Sequence, residues 1–199
     1  MAKLYYKFGA MGSSKTAQAL MTKFNYEEKG FKVWLIKPDV DVRDDKDGKR
    51  IIRSRIGLEA EADIVKGSDN LVDWLDEILF KQTIDVIICD ECQFLTQKHV
   101  DQLRHIASFS DIPVFCFGLR TDFKTHLFEG SKRLFEVADS ISEIKSICKC
   151  GNKAIVNVRI GIKGEIIEEG KQIDIGGNEK YVPLCWKCYK KKQLLFGNI

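Results

Sequence analysis

The sequence predicts an α/β fold: a parallel sheet flanked by helices, followed by a small cysteine-bearing unit. Three observations carry this. Short apolar segments alternate with helix-spaced ones through residues 1–144, the pattern of strands joined by crossover helices. "DVIICDE" (85–91) and "IPVFCFGL" (112–119) are apolar almost throughout, as strands buried on both faces are. Across residues 145–199 the composition changes to cysteine pairs, glycines and short alternating runs, which predict hairpins.

Each element has its own signal. "LYYKF" (4–8) reads as a strand, and the small residues Gly9 to Ser14 as a turn. "KTAQALMTKFNYEEKG" (15–30) has helix spacing, with Ala17, Leu20, Met21 and Phe24 on one stripe and Gly30 as the stop. "FKVWLIK" (31–37) is a second strand, ended by Pro38. Residues 39–56 are strongly charged and read as an exposed segment. "NLVDWLDEILFKQ" (70–82) and "QKHVDQLRHIASFS" (97–110) are helices, the latter with His99 and His105 on its surface. In the last part, Gly164 and Gly176-Gly177 mark turns.

The bulk properties exclude several classes. The 199 residues suffice for one α/β domain with an appendage, and 44% hydrophobic content favours an ordered globule. The net charge is +3, with basic and acidic residues interleaved. No basic stripe alternates with aromatics, so a nucleic-acid groove is not expected. Lys190-Lys191-Lys192 reads as a solvated end. No apolar run approaches the ~20 residues of a membrane span. "MAKLYYKFG" is too short and polar for a secretory signal, so the cytoplasm is the expected address. Seven cysteines without an export signal point to metal binding or burial rather than disulfides.

The chemistry begins at "KFGAMGSSKT" (7–16), where Gly9, Gly12, Lys15 and Thr16 fit G-x-x-G-x-x-K-T between a strand and a helix. That context makes a phosphate loop. Main-chain N–H groups of Gly9, Ala10, Met11, Gly12, Ser13 and Ser14, with the helix N-terminus, would cradle the phosphates of ATP. Lys15 would reach the β- and γ-phosphates, and the Thr16 hydroxyl would ligate Mg²⁺. Ser14 stands where the usual pattern has glycine. Its Cβ adds bulk against the phosphate, while its hydroxyl can donate to it.

"DVIICDECQF" supplies the second element. Asp90 at a strand end suits metal binding, and Glu91 suits a general base. The pair alone leaves open whether the nucleophile is water or a substrate hydroxyl. The third element is Cys148-x-Cys150 with Cys185-x-x-Cys188, which suggests one tetrahedral structural Zn²⁺ closing a long loop. Gly151 would ease the tight C-x-C turn. Cys89, Cys92 and Cys116 read as core.

With these elements in place, "GAMGSSKT", "DECQFL", "GLRTDF" and "IGGNEKYVPLCWKCY" together resemble the zinc-containing, human-cytosolic-like thymidine kinases over nearly the whole chain. The resemblance implies a phosphate-loop NTPase-type domain (1–144) and a zinc-stapled lasso (145–199) that closes over the nucleoside. It implies transfer of the ATP γ-phosphoryl group to the 5′-hydroxyl of thymidine, with deoxyuridine as a further acceptor. Glu91 resembles the family's base. Met11, Phe94, Leu119, Phe123 and Phe128 resemble the wall around the base. Ile173, Asp174, Ile175, Gly176 and Tyr181 resemble the lasso contacts. Asp41 and Arg43, in "DVDVR", resemble a pair near the phosphates, and Gln93 is grouped with the ATP and Mg²⁺ residues. A homotetramer inhibited by dTTP is also implied. The rival readings are an ATPase in which Glu91 activates water, and a non-catalytic zinc-loop binding protein.

Overall fold

The computed structural model describes residues 1–41, 50–161, 165–173 and 180–196, with the backbone alone for 192–196. In chain order the elements are β1 (Leu4–Phe8), α1 (Lys15–Glu27), β2 (Val33–Pro38), β3 (Ile51–Arg53), β4 (Glu59–Glu61), β5 (Asp63–Val65) and α2 (Leu71–Leu79). β6 (Val86–Cys89), a 3₁₀ turn (Cys92–Phe94), α3 (Gln97–Phe109), β7 (Val114–Gly118), α4 (Glu129–Val137) and β8 (Ser140–Glu143) follow. The chain ends with β9 (Ser146–Ile147), β10 (Lys153–Ala154), β11 (Val156–Arg159), β12 (Tyr181–Leu184) and α5 (Trp186–Phe196).

Six strands form one sheet in the order β5-β2-β6-β7-β1-β8, and every pairing is parallel. The predicted parallel sheet is therefore present. Alternation sends Tyr6, Ile36, Ile87 and Val114 to one face, where α2 and α3 cover them with Leu71, Leu75, Leu103 and Ile106. The other face carries Leu35, Ile88 and Phe117 against Ala19 and Leu20 of α1. β7 lies between β1 and β6, so the phosphate-loop strand and the strand bearing the acidic pair are separated by one strand. Among the described residues, three two-stranded antiparallel pairs, β3–β4, β9–β10 and β11–β12, stand outside the sheet. β11, β12, β10 and α5 share a separate small core of Cys148, Ala154, Val156, Val158, Leu184 and Tyr189.

The helices start where local chemistry allows. The Asn70 side chain accepts the Val72 N–H to cap α2. Thr96 Oγ1 accepts the His99 N–H to cap α3. Such side-chain oxygens satisfy N–H groups that a helix start leaves without partners.

Two expectations need correction. In the α1 stripe, Ala17 and Leu20 are buried, but Met21 is 52% and Phe24 62% exposed. The sheet takes Ala17, Ala19 and Leu20 from the first turns, and further on Tyr26 packs on Phe31 and Phe115. His99 is not on the surface; it is 2% exposed, held by the α3 cap and by Nε2 against the Asp69 carbonyl at 3.2 Å. His105 is exposed, as expected. The expected turns at Gly164 and Gly176-Gly177 lie outside the described residues.

Candidate active site

The loop from Gly9 to Ser14 leaves the end of β1 and turns into α1. Gly9 N–H donates to the Gly118 carbonyl at 3.2 Å, which fixes the loop to β7. A Cβ on Gly9 would stand 2.4 Å from both the Ile144 carbonyl and Ser13 Oγ, so only glycine fits there. Gly12 (φ 74°) and Ser14 (φ 61°) are both left-handed. Ser14 is thus the only non-glycine in the loop placed where glycine costs least. The first bond into α1 is Gln18 N–H to the Ser14 carbonyl at 3.0 Å. The N–H groups of Lys15, Thr16 and Ala17 therefore have no intrahelical acceptor and face the loop, the arrangement that binds anions.

Lys15 folds back over the loop. Its Nζ donates to the Ala10 carbonyl at 2.9 Å and lies 3.3 Å from Ser13 Oγ. Burial lowers its pKa, while the charges of Glu91 and Asp90 oppose that shift. Asp90 is 3% exposed. Burial, then the charge of Glu91, lifts its pKa to about 7, against the hydrogen bond from the Thr16 side chain. Loop lysine, helix-start threonine and strand-end aspartate therefore converge as the spacing predicts.

These oxygens suit Mg²⁺, a hard cation bound by carboxylate and hydroxyl groups. A buried carboxylate beside a second, half-buried one, with its proton affinity raised, is the local sign of a cation site.

The chain turns sharply after β6. Glu91 has φ 50°, also left-handed. That turn brings Gln93 back beneath the β7 end. Gln93 Nε2 donates to Glu91 Oε2 at 2.5 Å, and its Oε1 accepts the Leu119 N–H at 2.9 Å. Gln93 thus holds the acidic group and Leu119 in register. The Leu119 carbonyl accepts from Tyr6 Oη at 2.8 Å and Ser131 Oγ at 2.6 Å.

Phe94 meets Phe128 edge-on, centroids 5.6 Å apart. Phe123 and Phe128 flank one tight loop, closed by a bridge between Thr121 and Leu127. Asp122 Oδ1 accepts the N–H groups of Lys124 and His126 in that loop. Gln172, from the late segment, donates to Asp122 Oδ2 at 2.9 Å, so this segment lies over the loop. Ile173 beside it is 40% exposed, and Tyr181 is buried in β12. Asp174, Ile175, Gly176 and Arg43 lie outside the described residues. Asp41 is buried, 4.0 Å from Lys37 Nζ.

Cys148, Cys150, Cys185 and Cys188 converge, with all four sulfurs within 4.8 Å of one another. A tetrahedral zinc with ~2.3 Å bonds needs sulfurs about 3.8 Å apart, so the cluster fits that ion. Gly151 has φ 84° and donates to the Cys148 carbonyl at 2.8 Å; it provides the turn that C-x-C requires. Asn152 and the neighbouring thiols pull the Cys150 thiol down to about 6, while the surrounding thiols push Cys188 up to about 12. The set therefore gives up a first proton readily, as a metal ligand group must. Cys89, Cys92 and Cys116 are fully buried, in agreement with a packing role.

Sequence reasoning missed Asn157. It is 4% exposed in β11, with Oδ1 accepting the Met11 N–H at 2.7 Å and Nδ2 donating to the Thr121 carbonyl at 3.3 Å. The one available signal was an asparagine inside the apolar run "AIVNVRI". A polar side chain at an inward position needs partners.

A family model described as thymidine kinase matches residues 2–189. The thymidine kinase of Shewanella oneidensis is 39% identical over 191 residues, covering 96% of this chain and 98% of that protein. That of Zymomonas mobilis is 42% identical over 192 residues, with 96% and 98% covered. That of Vibrio cholerae is 41% identical over 191 residues, with the same coverage of 96% and 98%.

Proposed function

We propose a role for each side chain of this site from one premise: the chain belongs to the thymidine kinase family. It is a kinase that phosphorylates thymidine with ATP, a reaction of nucleotide salvage. The observation that carries the residue roles is the convergence of Lys15, Thr16, Asp90 and Glu91 beyond the carboxyl ends of the interior strands β1 and β6.

The acceptor is the thymidine 5′-hydroxyl. Its oxygen forms a bond to the γ-phosphorus as the bond to the β–γ bridging oxygen breaks, and the hydroxyl proton passes to the Glu91 carboxylate. The products are ADP and dTMP. The loop amides and Lys15 hold the phosphate chain and stabilise charge on the transferring group. Lys15 exchanges its hold on the Ala10 carbonyl for phosphate oxygens. Thr16 and Asp90 would hold Mg²⁺, which neutralises phosphate charge when bound. Gln93 fixes the Glu91 carboxylate.

Phe94, Phe123, Phe128, Leu119 and Met11 form the apolar wall around the base. The 145–199 unit acts as a lid, with Tyr181 and the segment from Ile173 to Gly176 closing over the nucleoside and excluding water. Residues 1–144 are the nucleotide-binding domain. Zinc on the four cysteines is structural, since all four positions are filled by sulfur. By the family resemblance, Asp41 and Arg43 would act near the phosphates. By the same family resemblance deoxyuridine is a second acceptor, dTTP is a feedback inhibitor, and the chain works as a homotetramer in the cytoplasm. No described helix is long and apolar enough to cross a membrane.

The test is ADP release with ATP and Mg²⁺, with and without thymidine, followed by identification of dTMP. Thymidine-independent ADP release would instead favour water as the nucleophile. Glu91→Gln should bind ATP normally and lose at least ~10²-fold in turnover, the usual range for a general base.

A further inference from the structure

We propose that Arg55 is a second phosphate-contacting cation of this site, delivered in cis by the β3–β4 hairpin to the γ-phosphoryl group of ATP. Arg55 Nη1 lies 3.5 Å from the point where a Cβ on Gly12 would stand, directly over the phosphate loop. Its charge also bears on Lys15, so two cations face the same cradle of main-chain amides.

The hairpin is built to hold that position. Lys37, wholly buried, donates from Nζ to the Ile51 carbonyl at 2.9 Å. Ile52, 3% exposed, packs with Ala19, Leu20 and Leu35 under α1. Ser54 locks the tip: its N–H and hydroxyl donate to the Leu58 carbonyl at 2.8 and 3.1 Å. The Leu58 N–H donates back to Ser54 Oγ at 2.9 Å. Arg53 and Glu59 pair across the strands at 2.9 Å. The hairpin's anchors thus run to β2 and to α1, the helix that follows the loop, and Arg55 stands at its turn.

Bringing a guanidinium beside Lys15 and a helix N-terminus is unfavourable by itself, because all three repel. A polyphosphate between them reverses the sign. Guanidinium binds phosphate oxygens through two parallel N–H bonds, and an arginine on the transferring group is a recurrent source of rate in phosphoryl transfer. Gly12 matters for the same reason. A side chain there would stand between Arg55 and the loop.

The inference rests on the phosphoryl-transfer reading above. Its test uses Arg55→Ala and Arg55→Lys in the full chain, with ATP and ADP binding measured without thymidine and steady-state kinetics measured with it. Arg55→Ala should lose the preference for ATP over ADP and fall at least ~10²-fold in turnover. Its thymidine KM should stay within about 3-fold, and Arg55→Lys should recover only part of the turnover, because lysine is a point charge without the fork. Turnover of Arg55→Ala within about 3-fold of the parent would overturn the assignment, as would equal weakening of ATP and ADP. If the unmutated chain bound ATP and made no dTMP, the kinase reading would fail. The ATP-against-ADP comparison would still decide the role of Arg55.

Discussion

Asn157 Oδ1 accepts the Met11 N–H at 2.7 Å, joining positions 146 residues apart. Ser146 Oγ donates to the Met11 carbonyl at 3.3 Å. Both main-chain polar groups of Met11 are thus answered by the late, cysteine-bearing part of the chain. Asn157 thus holds the main chain of the loop at Met11. Asn157→Leu leaves the Met11 N–H and the Thr121 carbonyl without their partner, at a cost of about 1–3 kcal/mol. Denaturant unfolding should report that loss, and the KM for ATP should rise. If neither moved, Asn157 would not be holding the loop.

Ser14 makes the next prediction. It adopts a left-handed conformation at the start of α1 and makes no capping bond with its side chain. Ser14→Gly removes a strain of roughly 1–2 kcal/mol. The melting temperature should rise by about 2–4 °C per kcal/mol gained, as for a chain of this size. ATP affinity should hold or improve. A drop in ATP affinity with a rise in stability would show that the hydroxyl itself binds phosphate.

Metal removal should act on both substrates. Cys148 lies next to the strand that carries Ser146, and Cys185 follows β12, which pairs with the strand of Asn157. Chelation, or Cys188→Ser, should raise the KM for thymidine and for ATP before far-ultraviolet dichroism shows loss of the sheet. Chelated protein with both constants unchanged would contradict this coupling.

His99 gives a pH dependence. Burial lowers its pKa below the ordinary value, opposed by the Asp69 carbonyl and charge. Nε2 faces that carbonyl and so carries the proton, while Nδ1 is buried without a partner. A lowered folded-state pKa means that the unfolded chain binds more protons near and below the ordinary histidine value of ~6.5. The contribution of His99 is therefore complete above that pH and lost as pH falls toward and through the folded value. Unfolding curves at pH 8 and pH 5 should show lower stability at pH 5, with a smaller difference in His99→Gln. An equal difference in both proteins would remove His99 as the cause.

The sheet was legible because β6 and β7 are apolar runs and because glycine, lysine and threonine spacing marks the β1–α1 turn. The edge strands were not. β5 spans only three residues and β8 reads Ser-Ile-Ser-Glu, since an edge strand needs no two-sided burial. β3 and β4 fell inside or beside a stretch read as charged and exposed, and Arg55 was lost with them. The convergence of the four cysteines follows from spacing, because few other roles need two close pairs. The hold of Asn157 on Met11 could not be read, since no local pattern announces a contact between residues so far apart in sequence. The bonds of Gln93 to Glu91 and Leu119 could not be read either, because they depend on the left-handed backbone turn at Glu91.

The interposed strand β7 has a consequence of its own. Strands in a sheet lie ~4.8 Å apart, so the loop of Lys15 and the turn of Glu91 are held apart by about twice that width. Gly118, at the end of β7, admits no Cβ: one would stand 2.6 Å from Cys92 Sγ and from Gln93 Oε1. The spacing between the Lys15 loop and the Glu91 turn is thus gauged by a residue that belongs to neither, and a single methyl group there would collide with the chain that sets it.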